Sequence, residues 1–319
     1  MDKPFPRKEI YVHTLPNILT SGQVSAIDHG RLELNEELRR YADAKWEKEN
    51  QKDPNSVIPS AFMVETDENS MTVHCHGTEY KYLLGTVKMA REEGTSDLPQ
   101  LISDLSSEIM LLTKDEMFVL ERRLGEATQV GIRRYDIPSY QNAQIWVDSI
   151  MPGERDQIDL NDGMWDMPGF ARWSLMREFG LRSKEIGQIF YTGFARGFEV
   201  SISPQFNGFA RTNLTGEELM ARKVDGDRLI YRFEELTELF ASLGKEFKRR
   251  DLKPDVYGRI PRTTHDGFRI IDGCLGNLLS NAYHLNGIER YTQLKAILKE
   301  KGYVIHEVPT GNVNLDDLN

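Results

Sequence analysis

Ser174, Arg177 and Glu178 stand three and four residues apart, a spacing that puts all three on one face of a helix and turns Leu175, Met176 and Phe179 toward another. Three glutamates on such a face would hold a hard cation such as Mg²⁺ through oxygen ligands. Here the three side chains sum to zero charge, and a cation approaching Glu178 would meet Arg177 first. From these residues alone, Glu178 is expected to pair with Arg177, Arg182 or the helix end.

Phosphate recognition needs donors instead. Arg122-Arg123, Arg133-Arg134 and Lys248-Arg249-Arg250 are the runs able to supply charge-assisted hydrogen bonds. Tyr191, Phe194, Phe198 and Phe206 could stack on a base, although aromatic residues spaced this way more often fill a core. His74 and His76 share one face of a strand, with Met71, Val73 and Cys75 on the other; with no third or fourth ligand close in sequence, they predict a polar strand face. The sequence holds no G-x-x-x-x-G-K-[ST] loop, G-x-S-x-G elbow or G-x-G-x-x-G fingerprint, so kinase, serine hydrolase and dehydrogenase readings have no motif behind them.

The elements that must position these residues read as strand, loop and helix. Gly163-Met164-Trp165-Asp166-Met167-Pro168-Gly169 leads into Trp173-Ser174-Leu175-Met176-Arg177-Glu178-Phe179-Gly180-Leu181. This unit resembles the Nudix superfamily, whose box runs G-x5-E-x7-R-E-U-x-E-E-x-G-U, with U a bulky aliphatic residue. With Gly180-Leu181 on the closing G-U, the R-E-U-x-E-E positions hold Trp173, Ser174, Leu175, Met176, Arg177 and Glu178, so only the last glutamate survives. The box glycine and its glutamate fit either Gly153-Glu154, with Asp159, Asn161 and Asp162 inserted before the helix, or Pro168-Gly169 with the loop deleted; neither gives the family's spacing.

Other stretches follow the same order. Residues 108–113 and 117–123 around Lys114-Asp115-Glu116 resemble the opening Nudix hairpin, residues 186–196 the strand after the Nudix helix, and residues 206–214 a further strand before Leu214-Thr215-Gly216-Glu217-Glu218-Leu219. Trp46, Asp53-Pro54-Asn55 and residues 78–86 resemble the extension that precedes the domain in some larger members. The resemblance implies an α/β (α+β) fold, a mixed sheet sandwiched between helices, with an N-terminal helix-hairpin extension over residues 1–105, a Nudix-like domain over 106–235 and a helical C-terminal region over 236–319 packed on it. It further implies Glu178 and Glu154 as catalytic groups, Glu154, Asp159, Asp162 and Glu178 as Mg²⁺ ligands, and Arg122, Arg123, Tyr191 and Arg196 as ligand-binding residues. The implied function is binding of a nucleoside-diphosphate-type ligand with weak or no hydrolase activity, because a phosphoanhydride transition state needs a cation and its carboxylates. The alternative is an active Mg²⁺-dependent pyrophosphohydrolase with a rearranged carboxylate site.

Composition bounds the rest. At 319 residues with 39% apolar content, the chain can bury one large core or two modest ones. No apolar run reaches the roughly 18 residues that span a bilayer, residues 1–8 lack a signal-peptide core, and Cys75 and Cys274 stand far apart; a cytoplasmic protein is expected. A net charge of −10 opposes bulk nucleic-acid and anionic-membrane binding, leaving a small nucleotide derivative as expected partner, with a homodimer open.

Locally, the pattern predicts a helix within residues 29–52, striped by Leu32, Leu34, Leu38, Tyr41 and Trp46, and a hairpin over 62–76 turning at residues 67–70. A short helix capped by Ser96 is expected over 98–105, and helices over 233–243, 270–285 and 290–299. The polar, acidic tail over 311–319 is expected to fray.

Overall fold

The computed structural model describes residues 4–49, 57–123, 164–198, 203–222, 226–244 and 270–318. Its strands are β1 (Glu9–Thr20), β2 (Val24–Arg31), β3 (Val57–Thr66), β4 (Met71–Glu79), β5 (Ser106–Leu112), β6 (Met117–Arg123), β7 (Met164–Trp165), β8 (Ile186–Gly197), β9 (Pro204–Thr212), β10 (Gly226–Arg232), β11 (Val304–Glu307) and β12 (Asn312–Asn314). Its helices are α1 (Glu36–Glu49), α2 (Tyr80–Glu93), α3 (Met167–Phe179), α4 (Gly216–Met220), α5 (Leu236–Ala241), α6 (Asp272–Asn286) and α7 (Ile288–Glu300).

Sheet I runs β11-β1-β8-β9-β5, parallel in its two outer pairs and antiparallel between them. Sheet II runs β12-β3-β4-β2-β7, with β2 and β4 parallel and the remaining pairs antiparallel. β6 and β10 form a separate antiparallel ribbon. The class is therefore α+β, as the sequence implies. Sheet I takes β1 and β11 from outside residues 106–235, so both ends of the chain build the same sheet as its middle.

Two apolar layers hold these parts. On one face of sheet I, Ile10, Val12, Met110, Leu112 and Phe209 meet Leu275, Leu278 and Leu279 of α6, with Phe240 of α5 and Leu294 and Leu298 of α7 behind them. On the other face, Leu15, Leu19, Ile109, Tyr191, Phe194 and Phe206 meet Ala26, Val64, Val73 and Cys75 of sheet II. Met167, Ala171, Leu175 and Phe179 of α3 complete this second layer. Each large apolar side chain so enclosed contributes about 1.5–3 kcal/mol relative to exposure.

One residue sets the facing of β8. The β8–β9 register shifts between Tyr191 and Gly193, so Phe194 turns to sheet II while Ala195 lies under Gly276 of α6. Gly193 has φ 149°, and a Cβ there would lie 1.9 Å from the His13 carbonyl oxygen, so no side chain fits this crossing of β1 and β8.

α3 starts at Met167, ahead of the Trp173 stretch that the sequence reading makes helical, and stops at the Gly180 that closes that stretch. The Asp166 carboxylate accepts from the Gly169 N–H at 2.8 Å, and Pro168 lies in the first turn, where no intrahelical donor is lost. Gly180 ends the helix in the left-handed conformation, and the Leu181 N–H donates back to the Met176 carbonyl at 2.9 Å.

Four local expectations are corrected. Residues 108–123 do not form a hairpin: Thr113 N–H donates to the Met117 carbonyl at 2.8 Å, but beyond that turn β5 joins β9 and β6 joins β10. β5 is buried along its whole length although it ends the order of sheet I, the state of a strand covered on both faces rather than of one arm of a solvated hairpin. Residues 98–105 are not helical, because Ala61 and Leu105 exchange backbone bonds with Ser103 and Pro59 at 2.7 and 3.0 Å, tying the segment alongside β3. The tail does not fray: Val313 and Leu315 are buried, and β12 pairs with β3. Ser174 does not look outward but is buried with the apolar side of α3.

Candidate functional site

The polar end of α3 is the first place to look for chemistry. Glu178 sits on its last turn, partly exposed; the side chain of Arg177 lies outside the described residues, so the expected pairing with Glu178 falls there too. The basic residues nearby serve the scaffold. Arg172 donates to the carbonyls of Ser183, Ile186 and Gly187 at 3.2, 3.0 and 2.9 Å, tying α3 to the start of β8. Arg222 donates to the Gly180 carbonyl at 3.2 Å and to the Glu185 carboxylate at 2.9 Å. Arg182 grips the same carboxylate at 2.8 Å and, with its own backbone N–H, holds it down to a pKa of about 2. A charge of this kind stays with its two guanidiniums.

Of the other expected metal ligands, Glu154, Asp159 and Asp162 lie outside the described residues. Among the described residues, no three His, Cys, Asp or Glu side chains are arranged to hold a metal ion.

The expected ligand-binding residues divide into two pairs. Arg122 and Arg123 end β6, opposite Asp227 and Gly226 of β10; their side chains lie outside the described residues. Tyr191 and Arg196 are fully buried. Tyr191 lies in the layer between the sheets with its hydroxyl beside that of Ser107, and burial pushes its pKa up. Arg196 donates to the Leu315 carbonyl and, at 3.3 Å, to the Ser103 hydroxyl, with its guanidinium 5.2 Å from the Phe198 ring centre. Burial lowers its pKa to about 10, the nearby Asp316 opposing that shift. In this structure the Arg196 guanidinium is taken up by the protein's own acceptors and the Tyr191 ring by the packing between the sheets.

Of two further polar clusters, the sequence reading missed the first and saw only part of the second. Under α6, the Asn277 amide donates to the Glu108 carbonyl and carboxylate at 2.6 and 3.1 Å, the Asn281 amide to the Gly208 carbonyl at 3.1 Å, and the Thr192 hydroxyl to the Asn281 side-chain Oδ1 at 3.0 Å. All four polar side chains are fully buried, so this layer fixes the register of α6 on sheet I instead of meeting a ligand. The signal was present: residues 277 and 281 are one helical turn apart on an otherwise apolar helix face.

The second cluster joins His74 and His76 of β4 to His29 of β2 on the face of sheet II opposite Val73 and Cys75. Placing the two imidazoles of β4 together was legible from strand alternation. His29 was not, because only the parallel pairing of β2 with β4 brings it there. No family model matches this chain, and no curated protein matches it in sequence.

Proposed function

We propose that this protein binds a nucleoside-diphosphate-type ligand on a Nudix-like scaffold with little or no hydrolysis. The observation that carries the reading is the state of α3. Its caps and its apolar face are intact, yet its last turn bears the single carboxylate of Glu178 where hydrolases of the resembled family gather several. Phosphoanhydride cleavage requires a cation and a carboxylate cage to stabilise developing charge; binding requires only fixed donors. The donors assigned here are Arg122 and Arg123, at the end of the β6–β10 ribbon, since a guanidinium grips two oxygens at once.

The test is a thermal-shift panel of nucleoside diphosphate sugars and dinucleotides against the native protein, Arg122→Ala and Arg123→Ala. At least one compound is expected to stabilise the native protein, with affinity falling by about 1–3 kcal/mol in one of the variants. No stabilisation by any compound would remove the binding reading.

A further inference from the structure

Three imidazoles meet on the outer face of sheet II. His74 and His76 stand two residues apart on β4 and share that face, and His29 reaches them through the parallel pairing of β2 with β4. Between the pairs Asp28–Cys75 and Arg31–Gly77, β2 carries His29 and Gly30 where β4 carries His76 alone. Bulges of this kind re-aim side chains. Here the Gly30 N–H donates to the Asp28 carboxylate at 2.9 Å and Gly30 takes φ 84°, so the backbone is held locally while the His29 side chain stays exposed. The ring centre of His29 lies 5.1 Å from that of His74 and 6.0 Å from that of His76.

These rings are not anchored to the backbone as a structural histidine usually is. His13 turns Nδ1 to the Val308 carbonyl at 3.0 Å. In the outer cluster, His74 Nε2 and His76 Nδ1 are buried and meet no hydrogen-bond partner among the described residues, while His74 Nδ1 faces His29 Nε2 at 2.8 Å. Buried nitrogens left in this state call for a partner other than the scaffold.

We propose that His29, His74 and His76 form a binding site for a transition-metal cation of the Zn²⁺ class, with water in a fourth position on the exposed side. As the rings stand they do not share one point, because His29 and His74 turn facing nitrogens on each other. The change required is small. Two nitrogens bound to one tetrahedral zinc at about 2.0–2.1 Å lie about 3.3 Å apart, so the 2.8 Å pair opens by about half an ångström to admit the ion. Rings bound in this way have centres about 5 Å apart, near the 5.1 and 6.0 Å found.

In the neutral pair one facing nitrogen carries a proton and the other a lone pair. Metal binding moves that proton to the far nitrogen of its own ring, so both facing nitrogens present lone pairs and the proton count is unchanged. The Glu65 carboxylate, 3.4 Å from His74 Nε2, adds negative charge beside the site without entering it. Mg²⁺ takes oxygen ligands instead, so the site is separate from the carboxylates of α3 and the inference is independent of nucleotide binding.

The test is calorimetric titration of the full chain with Zn²⁺ alone at neutral pH, after treatment with a chelator, joined to long-range ¹H–¹⁵N spectra of the histidine rings. One equivalent is expected to bind, with ring-nitrogen shifts at His29, His74 and His76 and none at the half-buried His306. His29→Ala should weaken binding about tenfold or more, since groups that only orient a ligand are already worth about 10–100-fold. Lowering the pH should weaken it too, because protons compete for the same nitrogens. No saturable Zn²⁺ binding, shifts confined to other histidines, or an unchanged affinity in a folded His29→Ala variant would overturn the site. If His29→Ala does not fold, the ring shifts of the native protein decide alone.

Discussion

A buried arginine must find acceptors inside the protein, and Arg196 finds the Leu315 carbonyl, the Ser103 hydroxyl and the nearby charge of Asp316. Removing it strands those groups in the interior. Arg196→Ala is therefore expected to lower stability by about 3 kcal/mol, read by urea unfolding, through loss of the tail's anchor. A variant of native stability would return Arg196 to a role in ligand binding. Asp104 makes the opposite kind of prediction. Burial lifts its carboxyl from 3.8 to about 7, above its unfolded value, so ionisation opposes folding: no penalty exists below about 4, and it grows as pH rises toward 7. Asp104→Asn should accordingly gain in melting temperature relative to the native protein as pH is raised through this window, measured by calorimetry at fixed ionic strength. A difference independent of pH would mean that Asp104 does not titrate there. Residue types announced neither role, because an arginine at a strand end and an aspartate in a serine-rich run look solvated until the fold closes over them.

Helix α3 shows what local signals can and cannot specify. Its stop at Gly180 was read from the sequence, whereas its start at Asp166-Met167-Pro168 lies several residues ahead of the reading, although caps act within a few residues and the signal stands there. Asp166→Ala should cost about 1 kcal/mol of stability by thermal unfolding, and a neutral result would show the cap bond to be idle. Pairing partners were less legible. β5 and β6 are adjacent in sequence, and a hairpin is the cheapest local solution, but β5 has apolar side chains on both faces and is drawn into sheet I beside β9. The tail misled for a related reason. Its asparagines and aspartates dominate the composition, while its fit depends on Val313 and Leu315, two residues apart and both buried. A chain ending at residue 308 should therefore expose apolar surface, with increased binding of a hydrophobic dye and faster proteolysis than the full chain.

On the scale of the molecule, sheet I lies between α6 with its neighbouring helices on one face and α3 with sheet II on the other. The α+β class was legible because runs such as residues 186–196 and 270–285 declare strand and helix by length and periodicity. The way β1 and β11 enter sheet I was not, since no local feature of residues 9–20 or 304–307 names β8 as their meeting place. The same limit applies to function. The resemblance of α3 to a Nudix helix depleted of carboxylates is carried by its sequence alone, and the proposed function is built on that depletion. Among the described residues, no helix is long and apolar enough to cross a membrane.

The most direct test combines calorimetric titration of Mg²⁺ with a product-release assay on any nucleotide compound that stabilises the protein, for the native chain and Glu178→Gln. The account predicts weak Mg²⁺ binding, no phosphate or nucleotide monophosphate release, and the same ligand affinity in both proteins. Tight Mg²⁺ binding together with product release, both lost in Glu178→Gln, would contradict it and identify a working hydrolase.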